Sequence, residues 1–89
     1  MGLKTWFLEN KLQSVERRLK VLRTELKHQR KKLEELDTSR ERGEIKEEDY
    51  RASRAIMEDH KARLVRDIHD AEAKERALRS ELKELLTPA

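Results

Sequence analysis

The side chains in this chain that could ligate a metal or move a proton are His28, His60 and His69. A metal site needs three or more convergent ligands. If the chain folds back so that residue numbers summing to about 87 face one another, as antiparallel helices joined by a short loop require, His28 comes near Asp59 and His60. That grouping lacks the Glu-x-x-His spacing of di-iron helical bundles. Met57 stands three residues before His60 and Arg66 three before His69. The histidines therefore read as solvated surface residues, with no metal and no cofactor. No nucleophile sits beside a base, and no glycine-rich phosphate loop is present. The expectation is a protein that is not an enzyme.

The second chemistry on offer is charge. Residues 1–42 carry 12 Lys+Arg against 7 Asp+Glu, and residues 43–89 carry 10 against 12. The excess concentrates in Lys11, Arg17, Arg18, Lys20, Arg23, Lys27, Arg30, Lys31 and Lys32, with only Glu16 and Glu25 among them. Such a stretch can meet the phosphates of nucleic acid or of acidic lipid head groups. Almost no aromatic residues interleave with it, so base stacking is not offered. Its residues fall at heptad positions b, e, f and g, all round the exterior of a coiled coil.

A third feature is apolar. Leu3, Trp6 and Phe7 fall at positions f, b and c, opposite the helix seam. Three apolar side chains on the outside of so polar a chain mark a surface for a protein partner, a second copy or weak membrane-surface contact. The competing reading is that they fold back over Leu82, Leu85 and Leu86.

The elements that carry these residues are two long helices. With Leu12 at heptad position a, the first seam runs Leu8, Leu12, Val15, Leu19, Leu22, Leu26, Leu33 and Leu36, broken once by Gln29. The second runs Tyr50, Met57, Leu64, Ile68, Ala71, Leu78, Leu82 and Leu85, interrupted by Arg54, Lys61 and Glu75. This 3/4 spacing predicts amphipathic helices over about 3–42 and about 47–86. Ile56, Val65, Ala77 and Leu86 flank the second seam and widen its apolar stripe, as a helix with more than one neighbour requires. Glu47–Arg51, Asp59–Arg63, Asp70–Lys74, Glu72–Arg76 and Glu75–Arg79 are i,i+4 pairs that support the second helix. Pro88 follows its last turn as a stop.

Between them, residues 43–46 predict a turn. Gly43 can take the left-handed conformation that ends a helix. With Lys46 as N-cap, Ile45 and Tyr50 occupy the N′ and N4 positions of a hydrophobic staple. Glu47, Glu48 and Asp49 fill the first turn, where carboxylates favour the positive end of the helix dipole, and Asp49 at N3 suits a capping box. Lys46 stands where Ser, Thr, Asp or Asn is the usual cap. The alternative is one continuous parallel coiled-coil rod of about 125 Å, because the heptad frame does not slip across Gly43. That rod would put a glycine in the seam and Arg40, Glu47, Arg54 and Lys61 at successive a positions.

The chain has 89 residues, 46% of them charged, and no cysteine. This allows a single domain stabilised by helix periodicity and self-association. The lack of cysteine excludes a disulfide framework and fits a cytoplasmic setting. No apolar run is long enough to cross a membrane. Neither a signal-peptide core nor a myristoylation pattern is expected, with Trp6 where Ser or Thr would be needed.

The run Leu33-Glu34-Glu35-Leu36 followed by Arg42-Gly43-Glu44-Ile45-Lys46-Glu47-Glu48-Asp49-Tyr50 resembles the short helical hairpin of SHOCT-type oligomerisation domains. It is also similar to the middle of the gas vesicle protein G family. The first resemblance implies oligomerisation and scaffolding. The sequence thus predicts a long antiparallel helical hairpin that dimerises into a four-helix bundle and works as a scaffold or adaptor through protein–protein interaction. The alternative function is a basic, ribonucleoprotein-associated protein that binds nucleic acid.

Overall fold

The computed structural model describes residues 2–87 and shows two helices, α1 (Leu3–Glu41) and α2 (Glu47–Leu86). They form an antiparallel hairpin of 66 × 16 × 14 Å. The continuous rod is excluded: its length would be twice that, and α2 instead runs back along α1. Pro88, the expected stop, lies outside the described residues.

The reversal is built from backbone geometry. Gly43 has φ 71°, the one positive-φ glycine among the described residues. The N–H of Glu44 donates to the Ser39 carbonyl at 2.9 Å, and that of Gly43 to the Arg40 carbonyl at 3.0 Å. This 6→1 and 5→2 pair is a Schellman ending, which satisfies carbonyls that the last helical turn leaves free. It stops α1 at Glu41 and makes Arg42 its C-cap, one residue earlier than the sequence reading. Lys46 is extended (φ −69°, ψ 145°) and is the N-cap of α2, with no side-chain capping bond. Ile45 is half-buried and Tyr50 buried, as staple positions require. The capping box expected of Asp49 does not form. The first-turn carboxylate put to use is Glu47, drawn across the bend by Arg40.

The two seams meet in layers. Residues n and 90 − n share a level, and their burial matches: Leu8 with Leu82, Leu19 with Ala71, Leu22 with Ile68 and Leu26 with Leu64 are all buried. Each layer sets an a position against a d position, as knobs-into-holes packing of antiparallel helices provides. The core levels thus sum to three more than the expected 87, while the contacts at the bend, Asp37 with Tyr50 and Arg40 with Glu47, keep that sum. The polar breaks share levels too. Gln29 lies level with Lys61, Val15 with Glu75, and Leu36 with Arg54, all half-buried.

The centre of the core is Leu19, Leu22, Leu26, Leu64, Ile68 and Ala71, with Val15 and Val65 packed against it. Leu19, only 1% exposed, is the most enclosed large side chain. Each buried leucine contributes roughly 1.5–3 kcal/mol of transfer free energy. Val65, expected to flank the second seam, is half-buried against this core. Leu85, expected in the seam, is 43% exposed. The a-position residue at its level is Thr5, too small to cover it, so the seam closes at Leu82.

Candidate functional site

Three surfaces carry the polar chemistry and the free apolar area. The first is at the bend. The Tyr50 hydroxyl donates to Asp37 Oδ1 at 2.6 Å, and an Arg54 guanidinium nitrogen donates to the same oxygen at 2.7 Å. Arg54 also reaches Glu58 at 3.3 Å. Arg40 places its guanidinium 4.5 Å from the centre of the Tyr50 ring and grips both Glu47 oxygens at 3.0 and 3.1 Å. The Tyr50 hydrogen bond and the charge of Arg54 hold the Asp37 carboxyl below the ordinary carboxylate range. Contact with Tyr50 and the charge of Glu47 raise Arg40 further above its already high value. Asp37 is a poor helix former, and Arg40 and Arg54 are charges at a positions of the heptad frame. The structure uses all three to join α1 to α2. The sequence signal of Arg40 and Arg54 was charge at a positions on either side of the turn; Asp37, at an e position, carried no such signal.

The second surface is the basic stretch of α1. All nine residues, Lys11, Arg17, Arg18, Lys20, Arg23, Lys27, Arg30, Lys31 and Lys32, are exposed. Arg23 alone among them pairs with a carboxylate, Glu72 of α2 at 3.1 Å. Glu72 therefore does not serve the expected partner Arg76. The two carboxylates within the stretch both turn to α2. Glu16 accepts from Arg79 at 2.9 Å, and Glu25 lies 3.9 Å from His60 Nε2. The expected pairs Glu47–Arg51, Asp59–Arg63 and Glu75–Arg79 do form along α2.

The histidines do not gather. All three are exposed, and Asp59, expected near His28, is taken by Arg63. Among the described residues no group of three His, Cys, Asp or Glu side chains is placed to hold a metal. The surface depressions are shallow. One is lined by Thr24, Lys27, His28, Arg30, Lys31 and Glu34, all of α1.

The third surface is the open end of the hairpin, where α1 begins and α2 ends. Leu3 is 80% exposed, Trp6 and Phe7 58% each, and Leu86 59%. Trp6 and Phe7 stack edge to face with ring centroids 5.8 Å apart. They do not fold back over Leu82, Leu85 and Leu86. Asn10 donates from its side-chain amide to the Trp6 carbonyl at 2.8 Å, within the first turns of α1. Elsewhere the large exposed apolar residues are isolated: Val21 on α1 and Ile56 on α2. No described helix is long and apolar enough to cross a membrane.

Comparison with known proteins gave no match: no family model, no curated protein and no solved structure resembles the chain at a significant level.

Proposed function

We propose that this protein is a non-enzymatic spacer or adaptor that works by self-association through the open end of its hairpin. The observation that carries this reading is that Leu3, Trp6, Phe7, Leu85 and Leu86, each at least 43% exposed, all lie at the end where both arms of the chain meet. Burying two aromatic rings contributes more than burying any other pair of side chains here. Contiguous exposed apolar area on a soluble chain marks an interaction surface.

Area supports the same reading. The chain exposes 7281 Å². A compact monomer of its 10.7 kDa would expose about 5,500 Å². A two-helix rod cannot shield itself, because each helix has one neighbour. A second copy docked at the open end brings four helix ends together and covers the aromatic pair. The lateral faces offer only Val21 and Ile56, so the four-helix contact is confined to the terminal turns. The resemblance of residues 33–50 to SHOCT-type hairpins points in the same direction.

Sedimentation and light scattering across a concentration series test the proposal. The expected result is a dimer whose melting temperature rises with concentration. Replacing Trp6 and Phe7 by Ala should give a monomer of unchanged helicity. A wild-type monomer at all concentrations, with a concentration-independent melt, overturns it.

A further inference from the structure

We propose that the outer face of α1 between Arg17 and Lys31 binds the phosphate backbone of duplex nucleic acid. The basis is where the carboxylates go. In the stretch from Lys11 to Lys32, nine cations stand against two carboxylates, an excess of seven. In a solvated coiled-coil exterior such carboxylates would be interspersed among the cations and would neutralise the field. Here Glu16 and Glu25 both face α2, bound to Arg79 and beside His60. Arg23 is neutralised by Glu72.

Helical spacing then leaves Arg17, Lys20, Lys27 and Lys31 on the face opposite the seam, with Val21, Thr24 and His28 between them. None of the four pairs with a carboxylate among the described residues, and all are exposed. Glu34 and Glu35 close the face at its C-terminal side. The level segment of α2, residues 58–79, holds six cations and six carboxylates and adds no opposing field. The fourteen helical steps from Arg17 to Lys31 span about 21 Å at 1.5 Å per residue, equal to roughly six base pairs of duplex at 3.4 Å each.

The composition of the face selects the partner. A lipid surface needs apolar side chains beside the cations so that the helix can sit in the interface. This face carries Thr24 and His28 there, and Val21 is its single large apolar side chain. A protein interface needs an apolar centre depleted of charge, which is also missing. Nucleic-acid interfaces are polar and strongly positive. Without aromatic residues the face offers no stacking platform for unpaired bases, so the duplex is preferred and its sequence is not read.

Fluorescence anisotropy of the full chain with a labelled random-sequence duplex tests this. With four phosphate contacts the affinity should fall about 10²-fold between about 50 and 200 mM salt. Lys20→Gln, Lys27→Gln and Lys31→Gln together should weaken binding more than tenfold and lower the salt slope by nearly one for each lysine removed. Helicity by circular dichroism should not change, because all three side chains are exposed. Arg66→Gln, on α2, should leave affinity within about twofold, since it removes no contact from this face. No binding at low salt overturns the proposal. So does binding that the triple variant retains, tighter binding to single strands than to duplex, or equal salt-sensitive binding to anionic vesicles. Trp6→Ala with Phe7→Ala, which tests self-association, leaves all four cations in place, so the two proposals fail separately.

Discussion

Tyr50 and Asp37 join the two helices at the bend through a 2.6 Å hydrogen bond from the phenol to the carboxylate. Thirteen residues separate them in the chain. Tyr50 is buried at 7% exposure, while its hydroxyl reaches the partly open carboxylate, so one side chain serves both the apolar staple and the polar clasp. Arg54 completes the clasp from the next turn of α2, and Arg40 covers the ring.

This relationship makes the clasp acid-sensitive. Asp37 has its native pKa depressed, first by the Tyr50 bond and then by Arg54. The unfolded chain, with an ordinary value of about 3.9, takes up the proton first as pH falls. The contribution of Asp37 is therefore complete above that value and is lost as pH falls towards the native one. Asp37→Asn should melt below wild type at neutral pH, with the gap closing in acid. Tyr50→Phe should raise the Asp37 pKa in an NMR titration of its carboxyl carbon. An unchanged titration would remove Tyr50 as the dominant cause.

Gly43→Ala should destabilise the protein by roughly 1–2 kcal/mol, the cost of placing a β-carbon in the left-handed region. Nothing lies within 4 Å of the added atom, so the cost is conformational and not a clash. Gly43→Asn should cost less, because Asn tolerates that region. Urea unfolding of both variants measures the difference.

Leu19→Ala should cost about 2–5 kcal/mol, since it empties the most enclosed position of a core that cannot collapse sideways. Val21→Ala, two residues away and 63% exposed, should change stability by no more than about 0.5 kcal/mol. Equal losses at the two sites would mean that α1 packs on a different face.

The register is open to a direct chemical check. Cysteines replacing Gln29 and Lys61, which share a level, should form an intramolecular disulfide under mild oxidation. A bridge requires α-carbons within about 7 Å. The pair replacing Gln29 and Glu58, level only if facing residues summed to 87, should cross-link more slowly. Faster closure of the second pair would contradict the layers described above.

At low concentration the fluorescence of Trp6 should be red-shifted and open to quencher, consistent with its 58% exposure. It should shift blue as concentration rises and the open ends meet. A blue, protected spectrum at every dilution would show that Trp6 packs within its own chain.

The all-helical class and the two seams are local properties, and the sequence by itself determined them; it marked residues 43–50 as the place for a reversal, while the choice between hairpin and continuous rod was made by the tertiary structure. Leucine at 3/4 spacing specifies a helix with one apolar face wherever it occurs. Gly43 followed by Ile45 and Tyr50 carries the backbone and side-chain requirements of a stop and a restart within eight residues. The outcome at Leu85, the inward place of Val65 and the level partners of each residue were decided only when the Schellman ending set the length of the connection. A shift of three residues moves every facing pair of the core.

Ion pairing followed the tertiary structure more than the sequence. Glu72 lies four residues before Arg76, yet it binds Arg23, 49 positions away in the chain. Long charged side chains reach whichever partner the packed backbone brings near, and at an exposed site the alternatives differ little in energy. The excess of cations on α1 was legible as a count. That Glu16 and Glu25 lie on the sides of α1 towards α2 and leave no carboxylate among Arg17, Lys20, Lys27 and Lys31 was decided by the antiparallel packing, which set Arg79 and His60 beside them.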